Sequence, residues 1–223
     1  MKRVLITGAS RGIGMCLADI FAENDYLVFA NYNKTNIISQ RENIVPVKAD
    51  VSKLDDVGAM YSEIGSVDIL INNAGIALQK MFLDTTSKEW DEIFSINVNG
   101  VYNCTKAFLP SMIANNKGQI INISSIWGDV GGSCEVAYSA AKAAVLGFTK
   151  ALSQEVDGSG VCVNSVILGE VDTDRHKKMV RDYEEMTGFA FSDSMATISP
   201  QTAAEKIYSM LSAKNGDIVR VNC

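Results

Sequence analysis

Short apolar runs recur along the chain at residues 4–7, 27–31, 44–48, 69–72, 119–124, 161–167 and 218–221. Most are rich in Val and Ile and too continuous for a strand with one wet face. That predicts strands buried on both faces of a parallel sheet. Longer stretches of helical period lie between them. Residues 14–24 form one, and a second is capped by Ser87, with Trp90, Ile93 and Phe94 on one face. A third carries Val101, Phe108 and Met112; a fourth spans 135–155, with Val145, Phe148 and Leu152 on its apolar stripe; a fifth spans 201–211. Strand and helix in alternation predict an α/β fold of about seven parallel strands, doubly wound, with helices on both faces. About ten residues separate the second and third strands, so the helix between them should be very short. With no internal repeat, low-complexity tract or Pro/Gly/Ser linker, the 223 residues read as a single domain over 1–223.

The first run leads directly into Thr7-Gly-Ala-Ser-Arg-Gly-Ile-Gly14, and a helical stretch follows. Glycines let the backbone turn tightly and approach a diphosphate, and a helix N-terminus offers free N–H groups and a positive dipole end. The placement points to a Rossmann-like dinucleotide site, with Gly8, Ser10, Arg11, Gly12, Ile13 and Gly14 as its seat. The end of the second strand reads Asn31-Tyr-Asn-Lys34 and has no acid to hold a ribose 2′-hydroxyl. Arg11, Asn33 and Lys34 suit a 2′-phosphate instead, so the expected cofactor is NADP(H). The plain alternative is that Arg11 and Lys34 are solvated surface cations.

Composition narrows the remaining classes. Hydrophobic residues make up 47% and charged residues 21%, enough for a sizeable core. A net charge of −6 argues against nucleic acid or an anionic membrane as partner. No stretch approaches the ~20 apolar residues of a membrane-spanning helix, and the N-terminal run is too short for a signal peptide. Cys16, Cys104, Cys134, Cys162 and Cys223 are scattered, odd in number and never in a CxxC pair, which suits reduced thiols in a cytoplasm. The single histidine, His176, offers no basis for a metal cluster, and no metal is expected. His176 itself reads as a surface residue without a catalytic role.

Further motifs fall in order along the whole chain: Asp50-Val51, Asn72-Asn-Ala-Gly75, Asn97 within Asn-Val-Asn-Gly, Ser124-Ser125, Tyr138-x-x-x-Lys142 and Gly169-x-x-x-Thr173. Ser125 precedes Tyr138 by 13 residues and Asn97 precedes it by 41. Together with the glycine loop this set resembles the short-chain dehydrogenase/reductase family. The resemblance implies that Asp50 meets the adenine edge with Val51 beside it. It implies that Asn73, Ala74 and Gly75 line the cofactor ribose, and that Val171 and Thr173 touch the nicotinamide amide and phosphates. It implies catalysis by Asn97, Ser125, Tyr138 and Lys142, the last two also touching the cofactor. It also implies a homodimer or homotetramer. Two departures stand out. Leu168-Gly169 replaces the usual Pro-Gly, which suggests a looser loop. The chain stops at Val221-Asn222-Cys223, short of the tail that often helps tetramers pack.

Tyr138 and Lys142, four apart, share one helical face. Tyr138 would be the general acid for carbonyl reduction. Lowering a phenol from pKa ~10 by about three units needs roughly 4 kcal/mol of preferential phenolate stabilisation, and Lys142, helped by the positive nicotinamide ring of the oxidised cofactor, is the expected source. Ser125 would hydrogen-bond the substrate oxygen, and Asn97 would hold a water linking Lys142 to solvent. Taken singly these are ordinary residues: a packed aromatic, a snorkelling cation, a turn serine, a polar interruption. Four of them in register behind a cofactor loop are not.

The segment 174–199 is polar, carries Met179, Met186 and Met195, and falls where the family has a substrate lid. Within the family the chain looks most like 3-oxoacyl-acyl-carrier-protein reductases of fatty acid biosynthesis. That implies a β-keto thioester and an acidic acyl carrier protein as partner, for which Arg175, Lys177, Lys178 and Arg181 would form a docking patch. A narrower resemblance, Ser124-Ser-Ile-Trp-Gly128 and Ser133-Cys-Glu-Val136, is to reductases of the 5-aminopentanone modification on elongation factor P. There Glu135 would hold the substrate amine and Trp127 would cover its methylenes. Otherwise Glu135 begins a helix and favours its dipole. A different class, a non-catalytic NADP-binding sensor or scaffold, is disfavoured by the retention of all four catalytic positions. A sugar-nucleotide epimerase is disfavoured by the glycine spacing.

Overall fold

The computed structural model describes residues 1–37, 39–190 and 197–221. Its strands are β1 (Arg3–Ile6), β2 (Leu27–Tyr32), β3 (Ile44–Lys48), β4 (Ile69–Asn72), β5 (Gly118–Ser125), β6 (Val161–Leu168) and β7 (Ile218–Val221). They form one parallel sheet in the order β3-β2-β1-β4-β5-β6-β7, the doubly wound arrangement expected from the apolar runs. The helices are α1 (Gly12–Glu23), α2 (Leu54–Ile64), α3 (Ser87–Phe94), α4 (Gly100–Ala114), α5 (Trp127–Val130), α6 (Val136–Glu155), α7 (Asp174–Thr187) and α8 (Pro200–Ser209). The winding reverses between β1 and β4, and the crevice beyond the carboxyl ends of such a pair is where this architecture takes its ligand.

Alternate residues of β1 explain why the runs are continuously apolar. Val4 and Ile6 face Leu17 and Phe21 of α1 and Ala204 and Ile207 of α8. Leu5 faces the opposite layer, with Val57 and Met60 of α2 and Cys104, Phe108 and Met112 of α4. Both faces of each central strand are thus covered, and neither face needs polar positions.

The elements depart from expectation at four places. Helix α2 was not expected, because its buried stripe is only Val57, Met60 and Ile64 in a polar stretch. Among the described residues no helix forms between β2 and β3. Helix α3 is capped by Thr86, not Ser87. Thr86 Oγ1 accepts from the Glu89 N–H at 3.2 Å, and the Glu89 carboxylate accepts from the Thr86 N–H at 2.9 Å, a reciprocal capping box. Asn97 does not interrupt a helix; a π-helical turn, Ser95–Asn99, carries α3 straight into α4. The extra residue in such a turn re-aims a side chain without breaking the helix. Helix α7, in the lid segment, contributes no buried residue; Met195 lies outside the described residues.

Candidate active site

A cleft of about 630 Å³ crosses the carboxyl ends of the strands, from the glycine loop to the head of α6. Every residue expected at the cofactor lines it, as do Ser125, Trp127, Glu135, Tyr138 and Lys142. Asn97 does not.

At the loop end, sterics require glycine. Gly8 has φ +65°, and a Cβ there would lie 2.8 Å from Ala74 Cα; a Cβ on Gly14 would lie 2.3 Å from the Gly8 oxygen. The loop is braced from behind. Asn31 Oδ1 accepts from the Gly8 N–H at 3.3 Å, and Thr7 Oγ1 accepts from the Asn73 and Ala74 N–H groups, both at 3.0 Å. Asn73, expected at the ribose, lines the cleft and donates from Nδ2 to the carbonyls of Thr7 at 2.9 Å and Gly8 at 3.1 Å. Arg11, at the N-cap of α1, gives no side-chain cap, so the helix turns its N–H groups to the cleft without an internal acceptor. A closely approachable backbone, an uncapped helix start and exposed Arg11 and Lys34 at the rim fit a phosphorylated dinucleotide. Asp50 accepts from the Ser52 N–H at 3.1 Å and from Ser52 Oγ–H at 2.6 Å. Its partial burial works against ionisation, but these bonds and one from Asn33 outweigh it and hold the carboxyl below its usual range.

At the other end, Tyr138 and Lys142 project from one face of α6 and are both buried, at 6% and 5% exposure. Lys142 Nζ stands 5.7 Å from the Tyr138 ring centroid and donates to the Ile123 carbonyl at 2.8 Å. Burial pulls its pKa down to about 7, and the Arg175 guanidinium adds to the effect. Burial also pushes the Tyr138 phenol above its ordinary value. Arg175 opposes that shift, Glu135 reinforces it, and hydrogen bonding with Ser125 and Arg175 opposes it. Without the cofactor, burial outweighs the groups that favour the phenolate, so the acidification expected of Lys142 with the nicotinamide ring calls for the ring's positive charge as well. Ser125 ends β5, and its Oγ accepts from the Trp127 N–H at 3.2 Å.

Asn97 is fully buried and its amide is consumed by backbone. Oδ1 accepts from the Ile76 N–H at 3.1 Å, and Nδ2 donates to the carbonyls of Ile76 at 2.9 Å and Ile93 at 3.0 Å. Both hydrogens of Nδ2 are spent on these carbonyls, while the Ile76 bond takes one of the two lone pairs of Oδ1. The side chain also clamps the chain after β4: a Cβ on Gly75 would lie 2.6 Å from Asn97 Oδ1 and 3.6 Å from Lys142 Nζ.

Glu135 is the N-cap residue of α6 but makes no capping bond. It is 3% exposed, its Oε2 has no partner, and it lines the cleft. Burial raises its pKa to about 7; Arg175 works against the rise and Glu170 adds to it. It begins α6, as the helix-dipole reading expects, and it also faces the cleft.

Glu170, Arg175 and His176 are among the cleft residues not expected there. Glu170, just past β6, is buried and pairs with Nε2 of His176, so His176 is tied into the cleft wall. Arg175 belongs to the first turn of α7, where a cation opposes the helix dipole, and that was the available cue. Of the expected docking patch, Lys177 pairs with Asp172 and Lys178 with Asp182 in exposed ion pairs. Thr173 caps α7, its Oγ1 accepting from the His176 N–H at 3.2 Å, while Val171 bridges Ile198. Leu168 does not loosen its loop. Its carbonyl accepts from the Ile126 N–H at 2.8 Å, and the Gly169 N–H donates to the Val221 carbonyl at 2.9 Å.

The chain is similar to known proteins. The short chain dehydrogenase family profile matches residues 2–184. The 3-oxoacyl-[acyl-carrier-protein] reductase FabG of Staphylococcus aureus is 38% identical over 186 residues, 78% of this chain and 76% of the relative. The acetoacetyl-CoA reductase of Rhizobium meliloti is 40% identical over 183 residues, again 78% and 76%. A solved structure described as ElxO with NADP bound superposes with TM-score 0.84 at 28% identity, covering 99% of this chain and 96% of that one. This chain belongs to the short chain dehydrogenase family.

Proposed function

We propose that this protein is an NADP(H)-dependent reductase that converts a ketone to an alcohol. The observation that carries the proposal is the meeting of Ser125, Tyr138 and Lys142 in one cleft with a glycine seat that admits no Cβ. The NADP in the ElxO structure and the names of the reductase relatives support it. NADPH bound in the cleft supplies a hydride to the carbonyl carbon. Ser125 donates a hydrogen bond to the carbonyl oxygen, and Tyr138 gives that oxygen its proton as negative charge builds there. Lys142, over the ring face, stabilises the phenolate left behind. Asn97 fixes Ile76 beside Gly75, and its Oδ1 keeps a lone pair for the water that links Lys142 to solvent. Residues 174–199 act as the lid over the substrate.

The relatives favour a 3-oxoacyl thioester, carried by an acyl carrier protein, as substrate. A second reading, the aminoketone on elongation factor P, is favoured by Glu135, whose partnerless buried oxygen suits a substrate ammonium. NADPH oxidation assayed in parallel with a β-ketoacyl thioester and a short aminoketone tests both. Turnover of either that disappears in Tyr138→Phe supports the reductase; turnover undiminished in that variant overturns it.

A further inference from the structure

Within the apolar run of β5, Asn122 and Ser124 lie two apart and so face the same side of the sheet. Both are buried. A buried amide or hydroxyl needs a partner, and each finds one on α6. Asn122 Nδ2 donates to Thr149 Oγ1 at 2.9 Å, and Ser124 Oγ–H donates to the Lys142 main-chain carbonyl at 2.9 Å. Between them in the strand, the Ile123 carbonyl accepts from Lys142 Nζ at 2.8 Å. Consecutive residues of β5 thus hold the two ends of one lysine, Ser124 at its backbone and Ile123 at its ammonium.

The helix uses only one of the two lone pairs of the Lys142 carbonyl, so α6 forms without the Ser124 bond. The lysine stem is a flexible four-carbon chain. Fixing the ammonium alone would leave the backbone free to slide along β5, and fixing the backbone alone would leave the stem free to swing. With both ends held, Nζ is placed 5.7 Å from the Tyr138 ring centroid.

We propose that Ser124 is a positioning residue for Lys142: its hydroxyl fixes the Lys142 backbone against β5, so that the ammonium meets the Ile123 carbonyl and the face of the Tyr138 ring together. The inference rests on the reductase reading of the same cleft. Ser124 also lines the cleft, so direct contact with a ligand is the rival account. A double-mutant cycle with Lys142→Met separates the two, because a residue acting through Lys142 loses its effect once the ammonium is gone.

Single-turnover NADPH oxidation is followed with whichever of the β-ketoacyl thioester and the aminoketone the parent reduces. Ser124→Ala lowers the rate about tenfold in the parent and causes no further loss in Lys142→Met. A tenfold loss that persists in Lys142→Met overturns the inference, because Ser124 then acts on something other than the lysine. So does a parental rate in Ser124→Ala. Thr149→Val cuts the other tether between β5 and α6, two turns beyond Lys142. It lowers the urea midpoint by leaving Asn122 Nδ2 unpaired, and it keeps the rate within about twofold of the parent. Equal losses of rate in Thr149→Val and Ser124→Ala would trace the effect to the packing of α6 as a whole and also overturn the inference. Undiminished turnover in Tyr138→Phe would instead overturn the reductase reading itself.

Discussion

Lys142 Nζ stands 5.7 Å from the centroid of the Tyr138 ring, and the two side chains are buried together on one face of α6. An ammonium in that place is costly, and its pKa falls from 10.5 to about 7. Between those values the unfolded chain binds a proton that the folded one lacks, so stability rises with pH across that window. Below pH 7 both forms are protonated and the cost of burial is felt in full. Lys142→Met removes this slope and raises stability at pH 7, while turnover falls about 100-fold or more. Urea midpoints at pH 7 and pH 9.5 measure it; an unchanged difference between the two would mean the ammonium is not the titrating group.

Glu135 carries the opposite sign. Its pKa rises from 4.5 to about 7, chiefly through burial. Across that interval the folded state keeps a proton the unfolded state has lost, so stability declines as pH rises, by roughly 3 kcal/mol at most above pH 7. Glu135→Gln is therefore more stable than the parent at pH 8 and gains nothing at pH 4. If Glu135 holds a substrate ammonium, the same variant loses reduction of an aminoketone and keeps that of a neutral ketone. Thermal melts at the two pH values, with both substrates assayed, decide each point separately.

Lys34 stands exposed at the end of β2, where an acid would read a free ribose hydroxyl. Lys34→Asp replaces a charge-assisted partner of a 2′-phosphate with a repelling carboxylate. The KM for NADPH should rise about tenfold, the equivalent of ~1.4 kcal/mol, and that for NADH should hold or fall. Equal changes for both cofactors would place the 2′-phosphate elsewhere.

What could be read from the sequence, and what could not, follows from where each interaction lies along the chain. The seven strands were legible because both faces of the sheet are covered, and Val and Ile run unbroken. Ser125, Tyr138 and Lys142 were legible because strand ends and helix turns put them at fixed spacings. The work of Asn97 and Asn73 was not. Each is consumed by backbone distant in sequence, Ile76 for one and the glycine loop for the other. Helix α2 escaped notice because three buried positions in eleven residues leave a weak apolar stripe. Arg175 looked like one of four surface cations; it is exposed, yet it lines the cleft while Lys177 and Lys178 do not. The lowered Lys142 and raised Tyr138 pKa values come from burial, which no pair spacing reports.

Gly128 shows how a residue outside the reacting set governs it. It lies on α5 where that short helix crosses α6, and a Cβ there would meet the Lys142 carbonyl carbon at 2.6 Å, Lys142 Cβ at 2.7 Å and the Ala143 nitrogen at 2.8 Å. These are mostly backbone atoms, so Gly128→Ala must push α6 away or tilt it, and Lys142 moves with it. A displacement on the order of 1 Å at a catalytic group costs about 100-fold in rate. The strain itself costs about 1–3 kcal/mol of stability. The glycine seat lies at the opposite end of the cleft, so the Kd for NADPH changes little. Gly147, on the same helix, has open space around its Cβ position, and Gly147→Ala should instead gain about 0.5–1 kcal/mol from helix propensity alone. Measured together, kcat, NADPH affinity and unfolding midpoint separate the two variants. A Gly128→Ala enzyme with parental kcat would show that α5 does not fix the position of Lys142.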